Sequence, residues 1–161
     1  MKIGFTVAVH IAAPPHCVYD ILTTYETFQK WKSGLISIRV ISGQHDIVNE
    51  HSIWREERKI GRSFSSDVYE TAGILPGLQL HTKINGWKGT SRRGEYLFHF
   101  HVIKNNSQTS LIVKHEILLQ GIHGLIARLG LPLRKTRTIN DLKRLKEFAE
   151  HHFTHHHGQT K

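Results

Sequence analysis

The chain has 161 residues, 39% of them hydrophobic and 22% charged, which suits one domain with its own core and argues against wholesale disorder. A formal net charge of +9 points toward anionic partners, but the lysines and arginines are scattered, so a solvated basic face is the expected reading. Cys17 is the only cysteine, which excludes an internal disulfide and suits a reducing, cytoplasmic setting. No stretch approaches the roughly 18 apolar residues needed to span a bilayer.

Residues 2–12 alternate as a half-buried strand, with Phe5, Val7, Val9 and Ile11 inward. The opening superficially resembles a secretion signal, but Thr6 and His10 interrupt its apolar run, and it reads as structure. Pro14-Pro15 stops the strand and starts a short helix through Val18, Tyr19, Ile21 and Leu22, in which Cys17 is a small buried hydrophobe. A second short helix covers 25–31, with Phe28 and Trp31 on its buried side, and Ser33-Gly34 ends it.

From Leu35 the pattern is that of strands: 35–41, 47–59, 62–71, 78–84, 93–103 and 109–119. Gly43–Asp46, Gly61 and Asn105-Asn106-Ser107 mark turns, and 72–77 (AGILPG) reads as a loop. Tyr96, Phe98, Phe100 and Val102 share one face of their strand; Leu111, Val113, His115 and Ile117 share one face of the next.

The last segment, 121–152, carries an apolar stripe at helical spacing: Ile122, Leu125, Ile126 and Leu129, then Ile139, Leu142, Leu145, Phe148 and Ala149. Gly130 and Pro132 interrupt it and suggest a bend. Arg134, Lys135, Arg137, Lys143, Arg144 and Lys146 fall on the opposite face. Consecutive short-linked strands pair antiparallel, and the helix is the element left to cover them. The expected fold is α+β: a curved antiparallel sheet of about seven strands around a long C-terminal helix, with two short helices after the first strand. One domain is expected over 1–152, followed by a His-rich tail at 153–161.

Three stretches resemble the START-like helix-grip superfamily (SRPBCC), in particular its polyketide cyclase/dehydrase and lipid-transport branch. They are VAVHIAAPPHCVYDILTTYETFQKW (7–31), DVYETAGILPG (67–77) and YLFHFHVIKNNSQTSLIVKHEI (96–117) with DLKRLKEFAE (141–150). The resemblance implies a cavity between sheet and helix, used by lipid carriers, hormone receptors, cyclases and ubiquinone-binding proteins alike. Fold does not choose among them.

The expected lining is Trp54, Tyr69, Tyr96, Phe98, Phe100, Val113, His115, Ile117, Leu125 and Leu129. His115 shares the inward face, where an imidazole either sits satisfied in the core, the expected state, or orients a ligand and moves protons. If Trp54 points inward, so do Glu56 and Arg58; both faces of 53–59 carry charge, and the solvated placement is the expected one. His115, Tyr69 and Glu56 are the candidates for acid–base chemistry. Gly-x-Ser-x-Gly is absent, and GWKGTSRRG (86–94) lacks phosphate-loop and dinucleotide spacing, so no cofactor is expected. His151 with His155 and His152 with His156 are spaced to chelate, but such tracts bind metals adventitiously and no metal site is assigned.

Binding of a small hydrophobic or amphipathic molecule, including an anionic one, is the expected function. A cyclase/dehydrase is the alternative and requires polar groups converging inside the cavity at hydrogen-bond distance. An adaptor for anionic partners is the third reading and requires a filled interior. No specific nucleic acid is expected, and peripheral contact with an anionic membrane stays open.

Overall fold

The computed structural model describes residues 2–75, 79–85, 95–118 and 128–157. The elements run β1 (Lys2–Ile11), α1 (Pro15–Thr23), α2 (Tyr25–Trp31), β2 (Leu35–Ser42), β3 (Ile53–Ile60), β4 (Ser63–Leu75), β5 (Gln79–Asn85), β6 (Glu95–Asn105), β7 (Gln108–Leu118) and α3 (Leu131–His157). Among these residues the strands form one antiparallel sheet in the order β1-β7-β6-β5-β4-β3-β2. β1 joins β7 because α1 and α2 carry the chain across to the opposite edge before β2 begins the meander. Register shifts in the β2–β3 and β4–β5 ladders bend the sheet. Helix α3 lies across it against β1, α1 and α2.

Local chemistry explains most boundaries. Pro15 opens α1, where a missing N–H costs nothing. Val18, Ile21 and Leu22 of α1 and Phe28 and Trp31 of α2 are buried at helical spacing. Gly34 closes α2 at φ 70°, and a Cβ there would stand 2.3 Å from the Lys59 carbonyl oxygen, so the turn demands glycine. The Lys59 amide in turn donates to the Gly34 carbonyl at 2.8 Å, which fixes β2 on β3. Asn106 takes φ 56° in the β6–β7 turn, as asparagine tolerates.

Three sequence expectations change. The strand expected over 47–59 begins only at Ile53. Asn49 and Ser52 divert the backbone before it: the Asn49 amide donates to Ser52 Oγ at 2.8 Å, and the His51 amide to Asn49 Oδ1 at 3.1 Å. The loop expected from 72 is strand through Leu75, because pairing of Ile74 with Leu80 continues past a bulge between Thr71 and Gly73. The helix expected over 121–152 is divided at Gly130: Arg128 and Leu129 are helical, Gly130 is a turn, and α3 begins at Leu131. Pro132 occupies the first turn, and the Gly130 carbonyl accepts the Arg134 amide at 3.1 Å. Residues 119–127, with Ile122, Leu125 and Ile126, lie outside the described residues. Downstream, Leu142, Leu145 and Ala149 are buried as the stripe predicts. No helix among the described residues is long and apolar enough to cross a membrane.

Candidate functional site

A cavity of about 340 Å³ opens between the sheet and the first turns of α3. One wall is aromatic. Trp54 of β3 and Tyr69 of β4 are cross-strand partners whose rings stack 5.4 Å apart at 9°. Phe28 and Trp31 of α2 meet edge to face at 5.7 Å, and Phe98 and Phe100 of β6 lie 6.2 Å apart. Each comes from a position whose alternation or helical spacing turns it toward α3.

The other wall is charged: Lys32, Arg58 and Asp141 line it, and Glu56, outside the lining, supports it. Glu56 is fully buried and accepts from the Trp54 indole N–H at 3.0 Å and from the Lys32 ammonium. Arg58 Nε approaches Glu56 Oε2 at 3.4 Å, and Arg58 Nη2 donates to Asp141 Oδ2 at 3.2 Å. Asp141 also accepts from the Ser33 amide at 2.8 Å and the Ser33 hydroxyl at 2.5 Å. The network therefore ties α3 to β3 and to the α2–β2 turn. Lys32 stands 4.3 Å over the Phe28 ring, 5.0 Å over Tyr69 and 5.3 Å over Trp31.

Burial sets the protonation states. It would raise the Glu56 carboxyl, but the charges of Lys32 and Arg58 and the bonds from Lys32 and Trp54 outweigh it and hold the group below the ordinary range. Burial pulls the Lys32 ammonium down against the attraction of Glu56. Burial also raises the Tyr69 phenol well above its ordinary value, with Glu56 adding to it. Burial raises Asp67, and Glu56 repels its charge. His115 is pushed down to about 3 by burial and by the charge of Arg134, so its imidazole is neutral. Its ring stacks on Phe98 at 4.2 Å and tilts against Phe5 at 5.0 Å.

No protein-family model and no curated protein matches the sequence. Solved structures match its fold. Zhui aromatase/cyclase from Streptomyces sp. R1128 superposes with a TM-score of 0.76 at 13% identity, over 93% of this chain and 94% of that one. The di-domain ARO/CYC StfQ from the steffimycin biosynthetic pathway gives 0.75 at 12% identity, over 94% of this chain and 52% of that one. Ara h 8.0201 gives 0.69 at 10% identity, over 92% and 98%. The chain has the START-like helix-grip fold.

In this helix-grip protein Trp54, Tyr69, Phe98, Phe100, Val113 and His115 line the cavity; alternation turns the last four inward but leaves the register of Trp54 and Tyr69 open. Ile117 is fully buried but packs in the core, outside the cavity wall. Leu129 corrects the expectation: it is 81% exposed and does not line the cavity. The Tyr96 side chain, Leu125 and residues 86–94 lie outside the described residues. Glu56 and Arg58 correct it in the other direction: the register of β3 turns them inward with Trp54, and partners from α2 and α3 make that placement tolerable. Asp141, Arg134 and Arg137 were missed as site residues. Arg134, Arg137, Thr138 and Asp141 recur at helical spacing, so the face read as solvated lines the cavity instead. Lys32, at the end of α2, carried no sequence signal. The rings of His151 and His155 lie 4.2 Å apart, tilted at 51°, on the exposed end of α3, and no group of metal-ligating side chains assembles among the described residues.

Proposed function

We propose that the cavity binds a small amphipathic molecule, its apolar body against the aromatic wall and its polar end toward the charged wall. The observation that carries this reading is the pairing of the two walls around about 340 Å³ of space, a volume within the usual range for small-molecule sites. Binding removes apolar ligand surface from water, and the polar groups fix its orientation. The cavity also counts against an adaptor with a filled interior. Native mass spectrometry of gently purified protein is expected to show a retained hydrophobic mass. Trp54 and Trp31 in the wall add a second readout, since a bound ring alters their emission. A protein that is always empty and whose tryptophan emission no hydrophobic probe changes would refute the reading.

One observation supports acid–base catalysis as the second reading. Arg58 and Asp141 meet at hydrogen-bond distance in a cavity that also holds a neutral His115, as such chemistry requires; Glu56 pairs with Arg58 but does not line the cavity. Glu56 is ionised and engaged by two donors and Tyr69 is held protonated, which leaves His115 as the proton acceptor, a weak one because burial and Arg134 hold its pKa down to about 3. The Arg58 guanidinium is then the charge that faces a developing enolate. The aromatase/cyclase names of Zhui and StfQ, with the polyketide cyclase resemblance of the sequence, make a linear polyketide chain the substrate to test. Protein-dependent conversion of such a chain to a dehydrated ring, lost in His115→Leu, supports catalysis. Cyclisation no faster than in buffer excludes it.

A further inference from the structure

Among the described residues four cations face the cavity: Lys32, Arg58, Arg134 and Arg137. Lys32 is neutralised by Glu56, and Arg58 by Asp141 and Glu56. Arg134 lies within reach of the buried His115, whose protonation its charge opposes. Arg137 differs. It lines the cavity one turn before Asp141, it is half-buried, and it makes no hydrogen bond or ion pair among the described residues. Its surroundings oppose its charge: burial lowers its pKa, and Arg58 and Arg134 lower it further against the pull of Asp141. No acidic residue stands in the first turn of α3 to offset it. A guanidinium cannot shed its proton at neutral pH, so this half-buried charge persists with no hydrogen-bonded or ion-paired partner among the described residues, Asp141 acting on it only from a distance. A charge removed from water normally has a partner.

We propose that Arg137 binds an acidic group on the ligand, so that the molecule this cavity takes is an amphipathic carboxylate. The inference rests on the small-molecule reading above and names the chemical class. The planar fork of Arg137 suits a carboxylate, which it grips through two parallel hydrogen bonds. The aromatic wall of Trp54, Tyr69, Phe98 and Phe100 then takes the body of the same molecule, by ring stacking for an aromatic acid or by apolar packing for an aliphatic one. The site is also suited to select against cationic amphipaths, which would meet the unpaired charge of Arg137.

Two dyes separate the parts of this claim. N-phenyl-1-naphthylamine and 1-anilinonaphthalene-8-sulfonate share one aromatic body, and only the second carries an anion, which stands in for the carboxylate. Both are titrated by fluorescence against the wild type, Arg137→Met and Arg137→Lys. The wild type is expected to prefer the sulfonate. Arg137→Met is expected to weaken the sulfonate by about tenfold or more while changing the neutral dye by less than about twofold, as loss of one charge-assisted contact requires. Arg137→Lys, which keeps the charge without the fork, is expected to recover part of the loss. Arg137→Met is also expected to melt no lower than the wild type, because it removes a charge that its surroundings on balance oppose in the ligand-free protein. Equal effects of Arg137→Met on both dyes, or none on the sulfonate, overturn the assignment of the acid to Arg137 and leave the cavity reading standing. Failure of the wild type to bind either dye overturns both.

Discussion

The charged wall makes a quantitative prediction at Glu56. Glu56→Gln keeps the side-chain volume and an acceptor for the Trp54 indole, and removes the negative charge between Lys32 and Arg58. Arg58 retains Asp141, but Lys32 loses its ion-pair partner. The lysine then stays charged without a counter-ion or gives up its proton. Neutralising a lysine of ordinary pKa at pH 7 costs about 4.6 kcal/mol, at about 1.36 kcal/mol per pH unit. Removing one partner of a buried pair costs about 3–5 kcal/mol by a separate route, so the two bounds agree. The aromatic rings beneath the ammonium return about 1 kcal/mol. The expected loss at pH 7 is therefore about 3 kcal/mol, read from urea unfolding as a lower midpoint at unchanged slope. The dependence on pH follows from the same argument. In the variant the folded pKa of Lys32 falls further below its unfolded value, so the unfolded state binds more protons between the two and the variant regains stability as pH rises. Between pH 7 and 9 the deficit against the wild type should fall to about half or less, as the cost of neutralisation drops. The double variant Lys32→Met/Glu56→Gln should recover most of the loss at pH 7. A deficit under about 1 kcal/mol at pH 7, or one unchanged to pH 9, would mean that Lys32 is solvated in the folded state and that the wall is not a closed ion network.

Two further outcomes follow from the same geometry. The folded pKa of His115, near 3, lies below the ordinary imidazole value, so its contribution is fully present above about pH 6.5 and is lost as pH falls toward 3. Between pH 6.5 and 5, His115→Leu should show a stability-versus-pH slope smaller than the wild type's by about one proton, measured from urea midpoints across buffers; parallel curves would place the imidazole in contact with water. At Gly34→Ala the positive φ costs about 1–2 kcal/mol and the added carbon meets the Lys59 carbonyl, whereas Gly61→Ala, with φ 60° and open space around it, incurs only the first term. Thermal melts should rank Gly34→Ala below Gly61→Ala, and equal melting temperatures would contradict the close approach at Gly34.

Period-two alternation made β6 and β7 legible, because Phe98 and Phe100 on one and Val113, His115 and Ile117 on the other leave one polar and one apolar face. The α1 and α2 boundaries followed from Pro15 and Gly34 in the same local way. β3 was illegible for a physical reason: Arg55, Glu57 and Lys59 on one face match Glu56 and Arg58 on the other in polarity. The side chains that decide the register, Lys32 and Asp141, lie 24 and 83 residues away along the chain from the groups they hold. The first half of α3 failed similarly. Hydrophobic periodicity counts a cation as solvent-facing, so a helix that turns Arg134 and Arg137 into a cavity reads as one that turns them out. Leu129 was the converse error, an apolar residue counted inward that is exposed.

The charged wall itself is poorly suited to capture a ligand, and this separates its role from that of Arg137. Glu56 Oε1 already serves Lys32 and Trp54, and Asp141 already serves Ser33 and Arg58. A ligand group that took any of these partners would leave a buried charge unpaired, which costs more than a new hydrogen bond returns. The network instead fixes where α3 lies. Asp141 is bound to β3 through Arg58 and to the α2–β2 turn through Ser33, and Arg137 stands one helical turn before it. The position of the unpaired guanidinium over the aromatic wall is therefore set by ion pairs that exist before any ligand arrives. That is preorganisation: the ordering is complete in the free protein, and an incoming acid need only displace water from Arg137 to be held in place.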